Sequence, residues 1–163
     1  MKRQGVLCLK VLVMSDSHGA VHFLRRIIEK EPEAELVFFL GDGLSDIDKM
    51  KTEYPHKRFI CVKGNNDSYH NEAKEAYKYI DGVTIMACHG DTYSVRVSLR
   101  DVISKTASVR GNLVLYGHTH KRDFYNDYST GICAVNPGAV CDGNYCILDI
   151  SKGQFEYYPK NVF

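Results

Sequence analysis

The strand-like apolar runs of this 163-residue chain keep ending in the same way, in a short polar cluster next to glycine. Cys8–Met14 leads into Asp16-Ser17-His18-Gly19, and Leu36–Leu40 into Gly41-Asp42-Gly43. Phe59–Val62 leads into Gly64-Asn65-Asn66-Asp67, Val83–Cys88 into His89-Gly90-Asp91, and Leu113–Tyr116 into Gly117-His118-Thr119-His120. Ligands of α/β sheets gather beyond the carboxyl ends of the strands. Five such clusters, holding four of the seven histidines, predict one site built from remote segments.

Amphipathic stretches separate the runs. His18–Lys30 reads as a helix with Val21, Leu24, Ile27 and Ile28 on one face, ended by Pro32. Ser45–Met50 reads as a short helix with Ser45 as its N-cap, and Val95–Val109 as a longer one. Ala76–Ile80 and Val83–Cys88 flank Asp81-Gly82, a two-residue hairpin signal. The remainder reads as strands: Asp123–Tyr128, Ile132–Val135, Tyr145–Ile150 and Gln154–Tyr158. The expectation is an α/β (α+β) fold in one domain over residues 1–163: two mixed sheets face to face, with helices outside.

Apolar residues make up 44% and charged residues 25%, with a net charge of +1, so charge alone gives no clear nucleic-acid surface. The apolar runs are too short to cross a bilayer. Lys2 and Arg3 precede Val6–Leu12, which Lys10 interrupts, so a secretory signal is not expected and a cytoplasmic location is. Six cysteines without a C-x-x-C pair, several inside apolar runs, read as buried reduced thiols.

Asp-x-His and His-x-His in extended backbone put alternate side chains on one side, where two can face one ion. Oxygen and imidazole donors without thiolate suit Mn, Fe, Ni, Co or Zn better than Ca. Taken singly, each cluster has a plainer role. Asp16-Ser17-His18 could cap a helix, the glycine-rich pieces could be turns, and His89 could be a core histidine. Their joint occurrence in chain order argues for the metal reading. His22, His56 and His70 read as surface, packing or solvated residues. Arg96 reads either as a helix-surface residue or as a contact for a substrate phosphate. Lys121-Arg122 reads as a solvated strand start, and Tyr157 and Tyr158 as sheet packing.

Asp16-x-His18, Gly41-Asp42, Gly64-Asn65-x-Asp67, His89-Gly90 and Gly117-His118-Thr119-His120 together resemble the calcineurin-like metallophosphoesterase superfamily, in its small bacterial phosphodiesterase branch. Asn136-Pro137-Gly138 fits that branch, and the likeness runs from Val11 to about Ile150. The resemblance implies a four-layer α-β-β-α sandwich. It implies one metal held by Asp16, His18 and His120, a second by Asn65, His89 and His118, and Asp42 bridging both. It further implies hydroxide generated between two divalent ions about 3.5–4 Å apart and attacking phosphorus in line. Manganese is favoured, with Ni, Fe, Zn, Co and Mg as alternatives.

Two departures stand out. Larger relatives commonly carry His after the metal-binding Asn, where this chain has Asn66. An amide donates a hydrogen bond but cannot protonate a leaving group, which favours small phosphodiesters or nucleotides over alkyl monoesters. Asn66 and Asp67 are the non-metal catalytic candidates, Asp67 by orienting its loop and His118, and Asn66 and Arg96 are the substrate contacts. The usual Ser after Asn-Pro-Gly is Ala139 here. The competing reading is a scaffold subunit of the same fold, as in retromer, against which the complete ligand set weighs. Exposed sheet edges would allow a homodimer.

Overall fold

The computed structural model describes residues 7–163; the N-terminal reading at Lys2, Arg3 and Val6 falls outside them. Ten strands and three α-helices follow in the order β1 (Leu9–Met14), α1 (Val21–Lys30), β2 (Leu36–Phe39), α2 (Leu44–Glu53), β3 (Arg58–Cys61), β4 (Glu75–Ile80), β5 (Val83–Cys88), α3 (Arg100–Ser108), β6 (Leu113–Leu115), β7 (Arg122–Asp127), β8 (Ile132–Pro137), β9 (Asn144–Ser151) and β10 (Gln154–Asn161). Three-residue 3-10 turns add Asp91–Tyr93 and Val140–Asp142.

The strands form two mixed sheets of five, ordered β10-β9-β1-β2-β3 and β4-β5-β6-β8-β7. β1, β2 and β3 run parallel, as do β5, β6 and β8. Antiparallel partners flank each parallel set. The carboxyl ends of three strands therefore share one edge in each sheet.

Period-two alternation explains why β1 is apolar from Val11 to Met14. Val11 and Val13 enter the core between the sheets, with Phe38, Ile85, Leu115 and Leu148. Leu12 and Met14 point the other way, against Leu24, Ile27 and Ile28 of α1 and Ile47 of α2. Both faces of the sheet are covered there, so no position from Val11 to Met14 calls for a polar residue. The outer face of the second sheet packs Met86, Val114 and Ala134 against Val102 and Ile103 of α3. This is the four-layer α-β-β-α sandwich expected. Truncating a side chain such as Leu12, fully buried, would cost about 2–5 kcal/mol.

The Asp81-Gly82 hairpin forms as read, with both residues at positive φ (42° and 90°), the signature of a type I′ turn. Lys152 and Gly153 make a second such turn (50° and 76°) between β9 and β10. The tips of the two hairpins tie the sheets together: Asp81 accepts from the Gly153 amide through its carbonyl at 2.6 Å and from the Lys152 amide through its carboxylate at 2.7 Å.

Helix starts differ from the sequence reading. α1 begins at Val21 rather than His18, because His18 and Gly19 are both in the left-handed region (φ 42° and 87°). α3 begins at Arg100 rather than Val95; the chain first makes the 3-10 turn at Asp91 and passes through left-handed Ser94. Ser45 does not cap α2: Gly43 holds that position, and a carboxylate from another loop satisfies the first amides. No helix among the described residues is long and apolar enough to cross a membrane.

Candidate metal centre

The site forms where the carboxyl edges of the two sheets meet. Its backbone is folded tightly. Asp16, His18, Asp42, His118 and His120 all adopt positive φ, between 42° and 67°. Non-glycine residues in this region are strained, and such strain concentrates at functional sites. Each conformation turns a strand end sharply enough to aim the next side chain inward.

Asp16 is the centre of the cluster. It is fully buried, and its Oδ2 accepts from Ser15 Oγ at 2.5 Å and from the His118 amide at 3.1 Å. Its Oδ1 has no hydrogen-bond partner, although it lies 3.3 Å from His120 Nε2, 3.6 Å from His18 Nε2 and 3.8 Å from His89 Nε2. A buried carboxylate oxygen without a donor is costly, and imidazole nitrogens on either side of it, His18 and His120 on one and His89 on the other, suit cations held beside it. His18 and His120 approach each other at 3.1 Å through Nε2, and His118 Nδ1 lies 3.2 Å from His89 Nε2. Asp16, His18 and His120 form one potential ligand group, and Asp16, Asp42 and His89 another. The residues present fit divalent cations.

His89 is 1% exposed, and its Nδ1 meets the Leu40 carbonyl at 2.6 Å. A carbonyl can only accept, so Nδ1 carries a proton, and Nε2 is the atom that faces Asp42, at 3.4 Å. Burial works against the charged form of His89, but Asp42 and Asp16 outweigh it and hold the ring's pKa above the usual value. Asp42 shows the reciprocal balance. Burial pushes its carboxyl up, but hydrogen bonds from His89 and Asn66 hold it well below the ordinary carboxylate range. Burial, assisted by the charges of His89 and Arg96, holds the pKa of His118 below the usual value.

Of the seven metal ligands expected from the sequence, the structure gathers Asp16, His18, Asp42, His89, His118 and His120. Asn65 is exposed, and among the described residues no side-chain hydrogen bond joins it to the others. Asn66 is the loop residue that meets the cluster, donating to Asp42 through its backbone amide at 2.9 Å and through its side-chain amide at 2.7 Å. Arg96 is exposed and donates to the His118 carbonyl at 3.1 Å, so its guanidinium sits on the metal loop rather than on a helix.

Asp67 orients its loop as expected, but among the described residues no hydrogen bond joins it to His118. Its Oδ2 accepts from the amides of Asp42 and Gly64 at 2.7 and 2.8 Å, and its Oδ1 from those of Gly43 and Leu44, both at 3.0 Å. A loop carboxylate thus caps α2 and pins the Asp42 turn. The His118 ring instead meets that of His89. The two glycines opposite each other permit this approach: a Cβ on Gly64 would lie 2.1 Å from Asp42 Oδ1, and one on Gly41 2.6 Å from the Gly64 nitrogen.

Sequence reading missed three supports. Asp46, in the first turn of α2, accepts from Ser17 Oγ at 2.6 Å and from the Gly19 amide at 2.8 Å, which fixes the His18 turn. Asn136, fully buried, donates to the Gly117 carbonyl and to Thr119 Oγ1, each at 3.0 Å, which fixes the loop of His118 and His120. Cys141 and Asp142 lie close enough to His120 to form a third potential ligand group. Only the acidic first turn of α2 and the Asn-Pro-Gly motif signalled any of this. Ala139, in place of the usual Ser, still supports a closed turn: its carbonyl accepts from the Asp142 and Asn144 amides at 3.1 and 3.0 Å.

The six cysteines are free thiols. Cys88 and Cys146 are buried as expected, Cys61, Cys133 and Cys141 are partly buried, and Cys8 is exposed. Burial pushes Cys61 and Cys88 up to about 12, so neither offers a thiolate near neutral pH. His22 and His56 are exposed, whereas His70 is partly buried and meets Ser45 Oγ at 3.0 Å rather than being fully solvated.

Paired sheets with a histidine- and aspartate-rich shared edge form a candidate divalent-cation site. The model of the calcineurin-like phosphoesterase superfamily domain matches residues 9–153, and the chain belongs to that family. It is 25% identical over 134 residues to "Probable metallophosphoesterase YsnB" of Bacillus subtilis strain 168, covering 81% of this chain and 75% of that one. It is 28% identical over 149 residues to "Phosphodiesterase MJ0936" of Methanocaldococcus jannaschii, covering 82% and 85%. Its fold matches a Streptococcus pneumoniae TIGR4 protein described as a predicted phosphoesterase, with a TM-score of 0.80, 20% identity and coverage of 97% and 92%. It also matches Vps29 complexed with zinc from Entamoeba histolytica, with a TM-score of 0.72, 19% identity and coverage of 95% and 100%.

Proposed function

We propose that this phosphoesterase hydrolyses small phosphodiesters with two divalent cations, manganese foremost, held by Asp16, His18, Asp42, His89, His118 and His120, with Asn65 as a further ligand. The observation that carries this reading is Asp16 Oδ1, buried without a donor and faced by the Nε2 atoms of His18, His89 and His120. Bound divalent cations supply a coordinated water of lowered pKa and offset charge on phosphoryl oxygens.

The chain's own residues do the rest. Asp42 stays ionised because His89 and Asn66 donate to it, and so presents full negative charge to the site. With Nδ1 committed to the Leu40 carbonyl, His89 has Nε2 to turn inward, where it faces Asp42 and where a bound cation would be held. Asn66 sits at the open side of Asp42, where its amide can orient a phosphoryl oxygen without giving up a proton. Arg96, anchored on the His118 carbonyl, places positive charge beside the same oxygens. No side chain in this set is placed to protonate a poor leaving group, which favours diesters with a stabilised leaving group over alkyl monoesters.

The scaffold alternative draws on likeness of fold alone. The strained, inward-turned ligands favour an enzyme, because a scaffold has no need of them. The test is to strip the protein with a chelator, add Mn, Ni, Zn or Mg separately, and compare bis(p-nitrophenyl) phosphate with p-nitrophenyl phosphate. Metal-dependent turnover of the diester, faster than that of the monoester and lost in Asp42→Ala and His118→Ala, is expected. Faster monoester turnover would overturn the diester preference. Folded protein inert with every cation would favour the scaffold.

A further inference from the structure

Cys141 and Asp142 stand at the rim of the metal centre, on a turn docked against the end of β1. Val140 is fully buried, its amide donates to the Ser15 carbonyl at 2.8 Å, and the Cys141 amide donates to the Asp16 carbonyl at 3.1 Å. Left-handed Gly143 (φ 79°) closes the turn, its amide on the Val140 carbonyl at 2.8 Å. Asp142 is held through its backbone: the amide donates to the Ala139 carbonyl at 3.1 Å, and the carbonyl accepts from Asn161 Nδ2 at 3.2 Å. Among the described residues no side chain hydrogen-bonds the Cys141 thiol or the Asp142 carboxylate. Both lie within 4.8 Å of a ring nitrogen of His120 and of each other.

The His120 ring is itself aimed at a cation position. Its Nε2 lies 3.3 Å from Asp16 Oδ1, the buried oxygen without a donor. The outer set differs from the inner ones in chemistry, because it adds sulfur to nitrogen and oxygen. Thiolate selects zinc and cobalt over manganese and magnesium. Tetrahedral zinc, with bonds of about 2.0–2.3 Å, places its donors roughly 3.5 Å apart. Cys141 is partly exposed and Asp142 exposed, so side-chain rotation closes the set, and water supplies a fourth ligand. We propose that His120, Cys141 and Asp142 bind a third, thiophilic cation of the zinc class, which competes with the inner cation for His120. Cys141 binds as thiolate, and its proton passes to water. A neutral imidazole has one lone pair, so His120 serves one cation at a time. Filling the outer site leaves the inner cation with Asp16 and His18 alone from its group, and manganese held there is released. The competition rests on the two-cation centre proposed above; the outer site itself does not.

The probe for the outer site is Co²⁺ added to chelator-treated protein. A near-ultraviolet sulfur-to-cobalt charge-transfer band is expected, lost in Cys141→Ser and kept in Cys8→Ser, which removes the exposed thiol. Asp142→Asn should keep the band but weaken cobalt binding about tenfold or more, the scale seen even for groups that only support a metal ligand. Matching thermal melts will show that these exposed or partly exposed positions leave the fold intact. The competition is read separately, by adding Zn²⁺ to manganese-loaded protein and following free Mn²⁺ by electron paramagnetic resonance. The zinc concentration that releases half of the manganese is expected to rise about tenfold in Cys141→Ser. No band, or a band that survives Cys141→Ser, would overturn the outer site. Coincident release curves for parent and variant would overturn the sharing of His120. A protein that shows the band yet takes up no manganese would overturn the inner centre and the competition with it, whereas manganese uptake without the band overturns the outer site alone.

Discussion

Asp67 shows how much a single side chain can organise. Its two oxygens take four backbone amides from two segments, Asp42-Gly43-Leu44 and Gly64, at 2.7–3.0 Å. Replacing it leaves buried N–H groups unsatisfied in the turn that positions Asp42. Asp67→Ala is expected to lower stability by about 3 kcal/mol, read from the urea midpoint, and to weaken manganese binding about tenfold or more although Asp67 is not among the proposed ligands. A variant as stable as the parent would show that water replaces the carboxylate without loss. Asp42 adds a pH signature. Its folded pKa lies below the unfolded value near 3.8, so it contributes stability that is complete above that value and lost as pH falls through the folded pKa. In metal-free protein, the stability deficit of Asp42→Asn relative to the parent should narrow steadily below about pH 4. A deficit constant through that range would contradict the cause assigned here. The six expected positions that the fold gathers were legible in the sequence because each belongs to a polar cluster with glycine at a strand end. The facing of Asn66, rather than Asn65, toward Asp42 was not legible, since it depends on how Asp67 folds the loop in three dimensions.

At the level of elements, turn chemistry does the positioning. Strands were readable because apolar runs bounded by glycine leave little choice of structure, and the Asp81-Gly82 turn because type I′ geometry demands such residues. Helix starts were less readable. α1 and α3 begin three and five residues later than amphipathic periodicity suggests, because left-handed residues in the site loops interrupt the helix. Local propensity carries no information about those tertiary demands. The β8 end belongs with the other five strand ends. Asn136 contributes no metal ligand there, but its side chain holds the loop of His118 and His120 through Gly117 and Thr119. Asn136→Ala is expected to cost about 2 kcal/mol in stability and to depress kcat more than KM, checked by urea melts and steady-state kinetics on bis(p-nitrophenyl) phosphate. Equal kcat in a stably folded variant would show that the loop keeps its aim without Asn136. Lys57 has a comparable structural task at the other end of α1. It is buried, donates to the carbonyls of Glu31 and Ala34 at 3.0 and 2.7 Å, and supports the helix end where the sequence pointed only to Pro32.

Across the whole molecule, two sheets are locked together at both ends by different means. At one end the hairpin tips exchange hydrogen bonds through Asp81. At the other, ligands from both sheets interlock, with the His118 amide on Asp16 and the His89 ring on the Leu40 carbonyl. The metal centre thus doubles as a joint between the two halves of the sandwich, and cations bound there should stabilise the entire fold. The direct measurement is a calorimetric titration of Mn²⁺ into chelator-treated protein, paired with the thermal midpoint at each addition. Uptake of two ions is expected, with a gain in stability of about 2.7 kcal/mol for each ion at a free concentration near 100 times its Kd, and with both effects strongly weakened in Asp42→Ala. Folded protein that takes up no manganese, nickel, zinc or magnesium, and melts at the same temperature with and without them, would contradict the account.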